Sequence, residues 1–332
     1  MTERSRKKAP ISIILLLLFA GICLQSKGSD SDSTNHMPTV DSVKYWSFKS
    51  LSLLTLNQNV FVNWASGGDN SLSGKAAIDY DLTYQRRKFT FDHGGNMAFG
   101  LVGYTDHRIE KTDDKIELLI AFSHQTSKNW SLTALTTLKT QFADGYKYPD
   151  DSTLISSFFA PAYLTISFGF NYKPDKTFQL FLSPLSGKMT FVKNQRLANI
   201  GAYGVKKAVL DTAGNVIVPG KHFLGEVGLN LLTTYKTKIM DNIKLNTALT
   251  LHNNYLDLDV SNRWNIDVDF DTRVIFSVNK LFSTILYMQL KYDHNALLPN
   301  YEMVDGEEVE VSSSPKLQFK ESFGLSVTYQ IN

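Results

Sequence analysis

The sequence is almost without cysteine, and it has little net charge and little sustained hydrophobicity. Cys23 is the only cysteine among 332 residues, which excludes an intrachain disulfide. The formal net charge is only +2, and no basic tract follows residue 8, which disfavours nucleic-acid binding. The mean hydropathy lies below zero, so the chain is not a bundle of membrane-spanning helices.

Helical periodicity is missing as well. After residue 25, no stretch of three turns carries apolar residues at i, i+3, i+4 and i+7, and only LANIGAYGV (197–205) suggests a helical turn. Apolar and polar residues alternate instead, most plainly in WNIDVDFDTRVIFSV (264–278). Because successive strand side chains point to opposite faces, this segment predicts one apolar face and one charged face.

Twelve segments carry this alternation, and most are long enough to cross a bilayer as tilted strands. They are 47–63, 71–85, 88–103, 115–126, 129–142, 159–172, 178–193, 223–237, 243–256, 263–278, 281–292 and 316–331. Short and long connections alternate between them, as in outer-membrane barrels with both termini in the periplasm. The sequence therefore predicts an all-β fold: a transmembrane antiparallel β-barrel of about 12 strands, of the outer-membrane type.

The N-terminal region predicts export. Basic residues precede a short apolar run from Ile11 to about Leu24, which is the layout of a secretory signal peptide. We expect a signal peptide at 1–25, a flexible periplasmic leader at 26–44 and the barrel domain at 45–332. Bulky Ile22 precedes Cys23, where lipoprotein signals carry a small residue, so the pattern disfavours lipidation.

Several runs in the predicted barrel resemble a known family. NWASGGDNSLSG (63–74), KTQFADGYKYPDD (139–151) and LSPLSGKMTFV (182–192) are similar to segments of an uncharacterised Bacteroidetes family of outer-membrane β-barrel proteins, classed as a domain of unknown function. The resemblance implies location and architecture over most of the chain from about Tyr45. It implies no activity and assigns no functional residue.

Charged residues in the polar phase of the strands are the candidate functional residues. Such side chains can line a water path and set its selectivity, or they can pair across the interior and plug it. About 12 strands lies between the eight that side chains just fill and the 16 that leave a channel. The lumen-lining candidates are Asp79, Asp81, Lys115, Glu117, Lys139, Glu226, Asp267, Asp269, Asp271 and Arg273, with Lys316 and Lys320 beside them.

Two weaker sites come from loops and histidines. Paired carboxylates predicted in loops, Asp113 with Asp114 and Asp150 with Asp151, are weak candidates for a hard cation, because they lack the spacing of a calcium loop and because solvated turns and strand caps are commoner. A hydrolase would need a nucleophile, a base and an orienting group in hydrogen-bond reach. Ser123, His124 and His252, with Asn253 and Asn254, offer the residue types in no recognisable arrangement, so we expect no enzyme and no cofactor.

The function expected from these observations is a narrow channel or solute transport pathway of unknown specificity in the outer membrane. A closed structural barrel whose extracellular loops bind a surface partner is the alternative, and a membrane-embedded hydrolase is a third interpretation. The expected partners are outer-membrane lipid, lipopolysaccharide and the barrel assembly machinery, with no nucleic acid.

Overall fold

The structure of the protein is a computed structural model, and it describes residues 45–60, 69–105, 108–257, 259–304 and 307–331. The predicted signal peptide, the predicted leader and Cys23 lie outside these residues. So does the whole of the loop sequence NWASGG (63–68). No helix in these described ranges is long and apolar enough to span a bilayer.

Twelve long strands form one closed antiparallel barrel, as the sequence predicted. Each strand pairs with the next along the chain, and β12 pairs with β1 in a register that sets Leu54 opposite Val327. The strands are β1 (Trp46–Asn59), β2 (Ser71–Arg86), β3 (Phe89–Tyr104), β4 (Ile109–Gln125), β5 (Trp130–Thr140), β6 (Ala162–Tyr172), β7 (Phe178–Phe191), β8 (Phe223–Met240), β9 (Ile243–Asn254), β10 (Ile266–Ser277), β11 (Phe282–Tyr292) and β12 (Gln318–Ile331).

The alternation of side chains separates an apolar exterior from a polar interior. On β6, Phe168 and Phe170 are more than half exposed on the outer face, whereas Ser167 and Asn171, which flank this pair, are buried inside. Closure of the barrel pairs the edge strands, so no strand edge of the barrel is left unpaired. A closed barrel with an outer band of large exposed apolar side chains is built to stand in hydrocarbon.

The two ends of the barrel differ in their connections. The turn end, which carries the short connections and both ends of the barrel sequence, has joins at 87–88, 126–129, 173–177, 241–242 and 278–281. At 173–177, the Asp175 carboxylate accepts hydrogen bonds from the Thr177 hydroxyl and backbone amide, which lowers the pKa of Asp175. The other end, called the loop end below, carries every long connection, but the join of β3 to β4 at this end is only 105–108, so the predicted alternation of long and short joins fails there.

The long connections have structure of their own. Residues 192–222 contain helix α1 (Gln195–Asn199), capped by Asn194, and a 3₁₀ turn at Ala202–Gly204. These confirm the helical turn predicted in LANIGAYGV. Two-stranded pairs that the sequence did not reveal lie at Gly145–Tyr146 with Leu154–Ser156, Val209–Leu210 with Val216–Val218, and Leu297–Val304 with Glu307–Pro315.

One predicted loop is wrong. Strand β4 begins at Ile109, six residues before the predicted start, so Asp113 and Asp114 lie within a strand and not in an exposed loop. Their polar surroundings in the sequence resembled a loop, but Asp113 faces the interior between Lys75 and Lys320, and Asp114 pairs with Lys111 of the same strand. The other weak candidates, Asp150 and Asp151, are exposed in the 141–161 connection as expected.

Candidate functional site

The barrel interior carries an extended set of charges, most of them in ion pairs, called the interior charge network below. Its members lie on strands that are far apart around the barrel. They are Lys75, Asp79, Asp113, Lys115, Glu117, Lys139, Lys188, Glu226, Asp267, Asp269, Asp271, Arg273 and Lys320.

Several ion pairs of this network join strands on different sides of the barrel. Lys139 Nζ of β5 lies 2.9 Å from Asp269 Oδ2 of β10, which is five strands away around the barrel. Arg273 of β10 donates to Asp79 of β2, four strands away. Such transverse pairs draw opposite walls together, because each pair has to meet within hydrogen-bond distance.

Two more transverse pairs lie nearer the loop end. Lys188 Nζ of β7 lies 2.9 Å from Asp267 Oδ2 of β10, and Lys320 Nζ of β12 lies 2.9 Å from Asp113 Oδ1 of β4. Removing one partner of such a pair leaves an uncompensated charge in the interior, which is costly. The network therefore fixes the cross-section of the barrel as well as its charge.

Of the remaining predicted lumen residues, two acids lie beside interior lysines and one is exposed at the turn end. Glu117 lies between Lys115 at 3.0 Å and Lys139 at 3.5 Å. Glu226 is buried 3.3 Å from Lys188. Asp81 differs from these residues because its side chain is two-thirds exposed at the turn end. Its ion pair with Lys236 of β8 is long, at 4.0 Å.

Asp271 stands apart from the other interior acids. Within the described part of the chain it has no ion pair of 4.0 Å or less. Asp271 is therefore a position at which an interior charge can be changed without breaking an ion pair.

Sequence reasoning missed Lys75 and Lys188 as site residues. Lys75 occupies the inward phase of β2, so alternation alone could have identified it. Lys188 follows an irregularity near Pro184, across which the buried inward residues change from odd-numbered Phe181 and Ser183 to even-numbered Ser186 and Thr190. Because the irregularity changes which residues face inward, a strict period of two assigns Lys188 to the wrong face.

The weak metal candidates are engaged by other groups. Asp114 accepts hydrogen bonds from Lys111 and from the backbone amides of Phe142 and Ala143. The two oxygens of Asp113 contact Lys75 and Lys320, so ammonium groups occupy the places that a cation would take. Among the residues that the structure describes, no group of three His, Cys, Asp or Glu side chains is arranged to hold a metal ion.

Asp150 serves a local turn in the 141–161 connection. Its carboxylate accepts hydrogen bonds from the Ser152 hydroxyl at 2.6 Å and the Ser152 amide at 2.8 Å. These bonds favour the charged form and lower the pKa of Asp150 to about 2. The geometry is that of a turn stabilised by its own side chain.

The hydrolase candidates do not assemble into a catalytic group. The Ser123 hydroxyl lies 2.9 Å from the Thr133 hydroxyl inside the barrel. The neighbouring His124 packs against Phe89 in a tilted arrangement, with ring centroids 4.7 Å apart, on the other face of the strand. His252 is buried, and in the described residues neither of its ring nitrogens has a hydrogen-bond partner.

His93 is an exception to the alternation of polar and apolar residues, because it is a polar residue in the apolar phase of β3. Its Nδ1 donates to the Leu119 carbonyl at 3.0 Å, and its Nε2 accepts from the Tyr80 hydroxyl at 2.9 Å. The Tyr80 ring crosses Gly95, where a Cβ atom would collide with it. Both polar atoms of the imidazole are thus satisfied, which explains how it is tolerated on the outer face.

A cavity of about 170 Å³ lies beside the interior charge network and is called the interior cavity below. Seven strands, β1–β4 and β10–β12, contribute its walls. Towards the loop end its lining is polar and charged, with Asn57, Thr112, Asp113 and Lys320. Towards the turn end it meets an apolar cluster of Leu53, Ala77, Ala98, Ile275 and Ile285.

This arrangement defines the class of protein: a transmembrane antiparallel β-barrel of the outer-membrane type, with a charged interior. A family described as a protein of unknown function (DUF3078) matches residues 56–146, about a quarter of the chain. This agrees with the resemblance seen in the sequence, and the Bacteroidetes origin stays a prediction. A search of curated proteins finds no match.

The chain is also similar in fold to solved outer-membrane structures. An outer membrane channel from Pseudomonas putida F1 is 14% identical, with 88% of this chain and 98% of that chain covered and a TM-score of 0.35. The translocator domain of the autotransporter NalP from Neisseria meningitidis is 9% identical, with 87% and 90% covered and a TM-score of 0.36. A Pseudomonas aeruginosa FadL homologue is 11% identical, with 85% and 90% covered and a TM-score of 0.28.

Proposed function

We propose that the protein is a narrow solute pathway of the outer membrane, whose constriction is formed by the transverse pairs of the interior charge network. The observation that carries the proposal is the interior itself. Charged side chains from several strands line the interior cavity, and transverse ion pairs such as Lys139 with Asp269 and Arg273 with Asp79 cross the barrel interior. Polar linings of this kind set selectivity when they are wet.

The proposal includes an orientation. The signal peptide at 1–25 would export the chain, the leader at 26–44 would remain in the periplasm, and the turn end with both termini would face the periplasm. Short periplasmic turns and longer outer loops are the usual arrangement. Outer-membrane lipid, lipopolysaccharide at the loop end and the assembly machinery are the partners that this orientation requires.

A closed structural barrel is the second candidate, and the same transverse pairs favour it. Lys139 with Asp269 and Arg273 with Asp79 hold opposite walls together. If these pairs never open, the loops would carry the function by binding a surface partner. We propose no catalytic role, because Ser123 and His124 point to opposite faces of their strand.

Single-channel conductance in a planar bilayer separates the two candidates. Arg273→Met removes a transverse pair, yet Asn96 still donates to Asp79, so the partner carboxylate keeps one hydrogen bond. The matched control is Lys238→Met, which removes an exposed 2.7 Å pair with Asp241 at the turn end.

We expect larger or more frequent conductance steps from Arg273→Met than from the parent, and parent behaviour from Lys238→Met. Opening the constriction is the physical reason. If the parent and both variants are silent although folded, the pathway is refuted and the closed barrel is supported.

A further inference from the structure

The interior cavity has the dimensions and lining of a small-molecule site. Its volume is about 170 Å³, whereas an apolar protein cavity of about 150 Å³ accommodates benzene. The cavity is therefore of a size to hold a small molecule built on a single ring. Pockets that bind such molecules combine apolar walls with a few convergent polar groups.

The charged groups that line the interior cavity are mainly cations. Lys75, Lys115, Lys320 and Arg273 reach its surface, and Asp113 is the acid among the lining residues that the structure describes. The acids that balance Lys115 and Arg273 are Glu117 and Asp79, and neither of them lines the cavity. The cavity therefore presents more positive than negative groups to a ligand.

The one lining carboxylate is already neutralised. Lys75 Nζ lies 3.0 Å from Asp113 Oδ2, and Lys320 Nζ lies 2.9 Å from Asp113 Oδ1. Each ammonium group has three N–H donors, so two lysines around one carboxylate retain donors for a second anion. A bound carboxylate would complete a square of two cations and two anions.

The opposite side of the interior cavity is apolar. Leu53, Ala77, Ala98 and Ile285 are buried and line it towards the turn end. Tyr287, also buried, presents its ring between two ammonium groups, 5.8 Å from Lys75 Nζ and 5.9 Å from Lys115 Nζ. The lining thus changes from cationic to apolar over the length of one small molecule.

We propose that the interior cavity binds a small organic anion, with its carboxylate at Lys75 and Lys320 and its apolar part on the Leu53 and Ile285 side. This assignment rests on the proposed function, since it names the class of solute that the pathway would take. Binding is measured without a membrane, so its outcome is independent of conductance.

Isothermal titration calorimetry on the full chain, refolded in detergent micelles, tests the proposal. Benzoate is the probe, benzyl alcohol is the uncharged probe of similar shape, and benzylammonium is the cationic one. The variants are Lys75→Met and Lys320→Met, and the control is Lys238→Met at the turn end. Each remaining lysine still pairs with Asp113, so the single variants leave that carboxylate compensated.

We expect benzoate to bind at least about tenfold more tightly than benzyl alcohol, because a hydrogen bond to a charged group discriminates by roughly this amount or more. Either lysine variant should lose that preference, and Lys238→Met should retain it. Equal binding of the three probes by the parent, tighter binding of benzylammonium, or absence of benzoate binding would overturn the proposal. Silent conductance with intact benzoate preference would refute the pathway and leave the site standing.

Discussion

The lipid-facing assignment predicts a large penalty for a charge at Phe168. This side chain stands on the outer face near the middle of β6 and is 59% exposed. A lysine at the middle of the lipid face of a barrel costs about 2–4 kcal/mol. Since about 1.4 kcal/mol corresponds to a tenfold change, Phe168→Lys should shift the folding equilibrium by between about thirty-fold and about seven-hundred-fold.

The assay is reversible denaturant unfolding from lipid vesicles, followed by tryptophan fluorescence. Phe168→Leu is the matched control, because it keeps an apolar side chain at the same position. The free energy of unfolding should fall by about 2–4 kcal/mol more in Phe168→Lys than in Phe168→Leu. Equal stability of the two variants would refute the reasoning that this face meets hydrocarbon.

Three further predictions concern close packing, the outer face and the loops. Gly228→Ala should destabilise the barrel by about 1–3 kcal/mol in the same assay, because the added Cβ would collide with a backbone carbonyl of β9; parent stability would contradict the packing. Tyr80→Phe should cost about 1–3 kcal/mol by leaving His93 Nε2 without its donor, and an unchanged unfolding curve would show that this bond is not made. Asp150 should titrate by NMR at about 2 and return towards its usual range in Ser152→Ala. Because folding depresses the pKa of Asp150, the contribution of this carboxylate to stability is present above about pH 4 and is lost as the pH falls through about 2. If Ser152→Ala left the pKa of Asp150 unchanged, the hydrogen-bonded turn would be contradicted.

The strands could be predicted because polar and apolar residues alternate along them with a period of two. In β10, Asp267, Asp269 and Asp271 alternate with Val268 and Phe270, and bilayer physics allows few other placements for such a segment. The lengths of the joins indicated the two ends of the barrel, although the join of β3 to β4, predicted to be long, is only 105–108. Strand ends were less certain, since β4 continues through residues 111–114, whose polarity resembles a loop.

The partners across the barrel could not be predicted. Lys139 and Asp269 are separated by 130 residues, and alternation states only that each faces inward. Which side chains meet depends on barrel shape and strand stagger, which the pattern of one strand does not encode. The paired hairpins of the loop end were missed for a related reason, because their strands, such as Val216–Val218, are too short for periodicity to mark them.

The central claim is that the charged phase of the strands faces a wet interior and the apolar phase faces lipid. The described residues contain no cysteine, so single cysteines report one position at a time. Asp271→Cys and Phe270→Cys are adjacent in β10, and replacing Asp271 breaks no ion pair within the described chain.

The decisive measurement is the rate at which a water-soluble, membrane-impermeant thiol reagent modifies each cysteine in barrels folded into vesicles, after Cys23 has been replaced. The account predicts rapid modification at residue 271 and little at residue 270. Equal rates, or faster reaction at residue 270, would contradict both the side-chain assignment and the solute pathway built on it.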